Sequence, residues 1–157
     1  MAYSLGVPPV LLGPAEGREE RVRMNDEVCL IEGDEPVHLV CGSLQIPVHD
    51  YPEPFAYTVW VSLSAANFQR TLDLWQTEGR ESEPPYFGWL TNSIPGYPET
   101  LNLKTHVHTS PVSLRPTIEL EPTDHPLAVE QREGITIARV QEIAERALHP
   151  SSAAEQP

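Results

Sequence analysis

Positive charge is scarce in this chain: 10 lysines and arginines stand against 23 aspartates and glutamates, a net charge of −13 over 157 residues. A surface so biased repels phosphate backbones and anionic headgroups. Nucleic acid and membrane surfaces are therefore excluded as default partners, and a basic protein is favoured. Cysteine is nearly absent too. Cys29 and Cys41 are the only two; they form no CxxC pair and lie in the apolar stretches VCLI and HLVCG, so buried free thiols are expected rather than a disulfide framework.

Long apolar runs are also missing. No stretch approaches the roughly 20 residues of a membrane span. The opening MAYSLGVPPVLLGPAEGREER has neither the basic start nor the unbroken apolar centre of a secretory signal, so the expected location is the cytoplasm. There is no glycine-rich phosphate loop, and Ser62, Ser64 and Ser93 have no nucleophile-elbow context. No catalytic residue can be assigned from such absences, and the expectation is a protein that acts by binding.

Proline, in contrast, is abundant, with 17 residues. That predicts many short elements joined by rigid connections rather than a helical bundle. Residues 1–16 read as an irregular or mobile arm, 17–149 as a single α+β domain, and 150–157 as a disordered tail. Within the domain EGREERVRM suggests a short surface helix, and VCLI and VHLVCGSLQIPV read as strands, with Gly42 a candidate bulge. In FAYTVWVSLS, Tyr57, Val59, Val61 and Leu63 alternate with polar or aromatic neighbours, the pattern of a strand with one buried face.

Ser64 is placed to cap a helix running to about Gln76, with Phe68, Leu72 and Trp75 on one stripe. Further strands are expected near 86–91, at 101–108 and in PTIELEP. Thr123 or Asp124, followed by Pro126, marks the start of a short helix that Gly134 ends, and Thr136 caps the last one. The predicted fold class is α+β: a mainly antiparallel sheet with one inserted helix and C-terminal helices packed on it.

Two groups of residues carry the candidate sites. The stretch PYFGWLTNSIPGYP sets large rings among glycines and prolines; with Trp60, its Tyr86, Phe87, Trp89 and Tyr97 are the candidates for an interface or a pocket. The second group begins with His106 and His108 in NLKTHVHTSP, which strand alternation puts on one face with Lys104. Glu119 and Glu121 share that face if the next strand pairs with this one, and His125 follows closely. A zinc site and a metal-dependent enzyme are the alternative reading of that cluster. Against it, the Lys104 ammonium opposes a cation, and cross-strand His–Glu pairs are common sheet decoration.

The blocks PPYFGWLTNSIPGYPETLNLKTHVHTSPVSLRPTIELEPTDHPLAVEQREGI, VWVSLSAANFQRTLDLW and REERVRMNDEVCLIEGD resemble a bacterial family, domain of unknown function 2199, over roughly residues 16–149. Many members of that family open with a CxxC segment similar to a zinc ribbon. The N-terminal region here has no cysteine, so the resemblance implies no structural zinc there. It also supplies no catalytic residues to carry over. The leading expectation is an acidic protein-interaction module, of the immunity or inhibitor type, for a basic partner.

Overall fold

Alternation in FAYTVWVSL and its partner VHLVCGSLQI builds the centre of the molecule. In the computed structural model, which describes residues 2–148, the elements run β1 (Ala2–Ser4), α1 (Pro9–Leu12), α2 (Arg18–Arg21), β2 (Val22–Met24), β3 (Val28–Ile31), β4 (Val37–Ile46), β5 (Phe55–Leu63) and α3 (Ala65–Asp73). After a short 3₁₀ turn at Arg80–Ser82 come β6 (Tyr86–Leu90), β7 (Lys104–His108), β8 (Thr117–Leu120), α4 (Pro126–Glu133) and α5 (Ile137–Leu148). The expected tail, 150–157, lies outside the described residues.

Strands β4 and β5 form a long antiparallel pair whose register runs unbroken from His38↔Leu63 to Ile46↔Phe55. Each is long enough to serve two neighbours along its free edge. β5 pairs with β1 at Ala56–Thr58 and with β6 at Val61 and Ser62. β4 pairs with β3 at Val37–Val40, then with β8 at Ser43, whose N–H donates to the Pro116 carbonyl at 2.9 Å.

The order β5–β6–β7–β8–β4, with β4 paired back to β5, closes into a five-stranded barrel. This corrects the expected antiparallel sheet. Both helices and strands are present as expected, but the sheet curls shut and is mixed. The reason is parity: five strands alternating in direction leave the closing pair, β4 and β8, parallel. A further parallel pair joins β1 to β5.

The barrel interior is filled by side chains, as expected at this size. Val40, Leu44, Tyr57, Val59, Leu90 and Ile118 are among the most deeply buried. Gly42 makes no bulge against β5. A Cβ there would stand 2.5 Å from Ile118 Cδ1, so the glycine makes room for β8. Gly88 does the same for β6 against β5.

A second cluster lies outside the barrel, where Cys29, Ile31, Leu39, Cys41 and Trp60 meet Val7. Residues 2–7 are therefore not an irregular arm. β1 adds to the sheet, and the buried Asn92 amide ties the segment down by donating to the Gly6 carbonyl at 2.9 Å while accepting from the Trp60 N–H at 2.7 Å. Both cysteines are buried and free. Among the described residues no helix is long and apolar enough to cross a membrane.

Candidate functional site

The outer face of β6, β7 and β8 collects most of the predicted site residues. Register places Phe87 beside His106 and His106 beside Glu119, with Trp89 beside Lys104 in the next row. Interior residues alternate with these: Tyr86, Gly88 and Leu90, then Thr105 and Val107, then Ile118 and Leu120. Phe87 and Trp89 remain 40% and 41% exposed, their rings edge to face at 5.0 Å and 87°.

The histidines and glutamates on this face form two separate pairs. His108 Nε2 lies 3.0 Å from Glu119 Oε1, and His106 Nε2 lies 3.9 Å from Glu121 Oε1. His125 is elsewhere, serving as the N-cap of α4. Its Nδ1 accepts from the Leu127 N–H at 3.1 Å, and its Nε2 donates toward the Pro98 and Glu99 carbonyls at 3.1 and 3.2 Å. Both ring nitrogens are thus engaged with backbone. Among the described residues, no group of three or more histidine, cysteine, aspartate or glutamate side chains converges as a metal site would require.

Of the remaining aromatic candidates, Trp60 and Tyr86 are buried and Tyr97 is half-buried. Trp60 packs in the outer cluster. Tyr97 stands at the end of the barrel near the C-terminal helices. Its hydroxyl donates to Glu130 Oε1 at 2.6 Å and lies 3.2 Å from the Tyr57 hydroxyl, while the Arg139 guanidinium sits over its ring. Burial, with the Glu130 carboxylate second, pushes the Tyr97 phenol well above its ordinary range.

Tyr86 belongs to a different feature, one that motif reading misses. At the opposite mouth of the barrel a cavity of about 220 Å³ lies between α3, β4 and the 109–116 connection. Its wall includes Val40, Val107 and Tyr86 from the barrel and Trp75 from the segment after α3. On the rim, Tyr86 donates to Glu83 Oε1 at 2.6 Å, and Arg70 holds the same carboxylate at 2.8 Å. Burial and then the Glu83 carboxylate push the Tyr86 phenol up to about 12. Arg70, then Tyr86, hold the Glu83 carboxyl at about 2.

Two arginines face this cavity. Arg80 is buried in a stretch that reads as polar surface loop, and no carboxylate pairs with it among the described residues. Its Nε donates to the Ser110 carbonyl at 2.7 Å, Nη1 to that of Trp75 at 3.0 Å, and Nη2 to those of Pro111 and Leu114 at 3.1 and 3.0 Å. It also stacks over the Trp75 ring. Arg115 holds Glu27 from across the gap where β4 exchanges β3 for β8, with Nε 2.9 Å from Oε2. Cys41 also lines the cavity, and burial pushes its thiol up to about 11, which disfavours the thiolate near neutrality.

Arg80 and Arg115 carry little sequence signal, because an arginine between turn residues looks like any solvated side chain. The one cue was their rarity in an acidic chain. A model of the family described as "Uncharacterized protein conserved in bacteria (DUF2199)" matches residues 2–135. No curated protein and no solved structure matches the chain.

Proposed function

We propose, taking as premise that this chain belongs to the bacterial DUF2199 family, that it is a binding domain for a basic protein, of the inhibitor or immunity type, with the outer face of β6–β7–β8 as its contact surface. The observation that carries this reading is the Phe87–Trp89 pair. A single exposed ring is ordinary. Two large rings in mutual contact, held by a strand and 40% and 41% exposed, form a preorganised anchor of the kind found at the centre of interfaces.

Charge supports the choice of partner. Arg23, Arg70, Arg115 and Arg139 are paired with carboxylates of the chain itself, and Arg80 and Arg132 are turned to backbone carbonyls. No aspartate or glutamate is buried among the described residues, so the acidic surplus faces outward. On the proposed face it lies on the β8 side, at Glu119 and Glu121, with Lys104 next to Trp89. A basic partner would associate faster at low salt, and rings placed between the charges would set the register.

The test uses immobilised protein and extracts of the native host at two ionic strengths, with the Phe87→Ser/Trp89→Ser variant alongside. A partner should be retained by the wild type, weaken as salt rises, and bind the variant about 30-fold less well if the rings act as hot spots worth roughly 2 kcal/mol. The variant's unfolding should match the wild type. A partner held equally by both, or none at either salt, would overturn the reading.

A further inference from the structure

The geometry of the barrel mouth points to a second binding site, for a small molecule that carries one carboxylate on an apolar body. The polar side of the cavity holds two guanidinium groups with donors to spare. Arg115 engages Glu27 through Nε alone, at 2.9 and 3.2 Å from its two oxygens, and neither Nη group has an acceptor among the described residues. Arg80 has five N–H donors and gives four to carbonyls, leaving one on Nη1. The planar, two-pronged Nη edge of a guanidinium matches a carboxylate.

Charge and size narrow the class. The ionised lining is Arg80, Arg115 and Glu27, a net single positive charge inside a molecule of net −13. One carboxylate balances it. A phosphate dianion would overshoot and would meet the Glu27 carboxylate. Val40, Val107 and the rings of Trp75 and Tyr86 add apolar surface to the lining for the rest of the ligand, the Trp75 ring lying against Arg80. A volume of about 220 Å³ corresponds to roughly seven waters at about 30 Å³ each, which suits a metabolite and not a peptide. Arg80 also fastens the 110–114 backbone, so the loop that leads into Arg115 is set before any ligand arrives.

The test titrates the isotope-labelled full chain with butyrate and benzoate, with butanol, benzyl alcohol and inorganic phosphate as comparators. The Nε–H signals of Arg80 and Arg115 and the amides of residues 109–115 report the site by NMR. Both carboxylates should shift these signals saturably, the matched alcohols should not, and phosphate should bind more weakly than either acid. Arg115→Gln should weaken the carboxylates by about tenfold or more, the loss expected for a charge-assisted pair. Arg23→Gln, on an exposed ion pair elsewhere, should leave them unchanged. No saturable shift with either acid, alcohols that match the acids, tighter phosphate, or an unaffected Arg115→Gln would each overturn the assignment. None of these outcomes bears on the outer face, because Phe87 and Trp89 are not in the lining.

Discussion

Replacing Arg80 with methionine keeps the length and apolar stem of the side chain and removes all four of its bonds to carbonyls. A hydrogen bond from a charged donor nets about 1.5–3 kcal/mol. The four are not independent, however, since they share one guanidinium. The exposed Pro111 and Leu114 also let their carbonyls regain water when the donor goes. Removing a buried charge returns part of its desolvation cost as well. The expected loss is about 2–4 kcal/mol, which at roughly 2–4 °C per kcal/mol lowers Tm by about 4–16 °C. Arg80→Lys keeps the charge but not the planar fork and should recover only part of this.

Two assays bear on the Arg80 prediction. Denaturant unfolding gives the stability, and amide hydrogen exchange at residues 109–115, compared with β4 and β5, reports whether the loss is felt in the clasped loop. Arg80→Met within about 0.5 kcal/mol of wild type, or loop exchange unchanged relative to the strands, would refute the clasp.

Gly88→Ala places a methyl 2.4 Å from Val61 Cγ1 and 2.9 Å from the Ser62 carbonyl oxygen. It should destabilise by about 1–3 kcal/mol, the usual cost of overpacking. Combined with Val61→Ala the loss should be less than additive, and strict additivity in calorimetry would remove the steric explanation. The Glu83 carboxyl sits at about 2 in the folded chain against an ordinary 4.5, because of Arg70 and then Tyr86. Its folded value is below its unfolded one, so its stabilisation is complete above about pH 4.5 and is lost as pH falls toward 2. The stability gap between wild type and Glu83→Gln should therefore close across that window in denaturant titrations. A gap that is constant with pH would contradict the pairing.

What could be read without the fold was local. Alternation in FAYTVWVSL located β5 and its buried face, and the same period put His106 with His108 on one face of their strand, whereas the partner of His106, Glu119, was set by the sheet register. Ser64 was legible as a cap because its hydroxyl accepts from the Asn67 N–H, a bond set by three residues of spacing. The cap of α4 was not, since a histidine occupies the position where Asp124 or Thr123 was expected and fills it through Nδ1.

Sequence by itself determined the acidic balance, the order and type of the main strands, the common face of His106 and His108, and the membership of a bacterial family. These depend on composition, on a period of two or on collinear blocks of sequence, and none needs a distant contact. Tertiary structure decided the rest. Barrel closure depends on β4 and β8 meeting across some 70 residues of chain, and Gly42 permits it by lacking a Cβ that Ile118 would strike. The mouth cavity brings Glu27, Arg80 and Arg115 together from three separate connections. An arginine's sequence neighbours reveal nothing of the carbonyls or carboxylates it will meet, because those are supplied by segments far away in the chain.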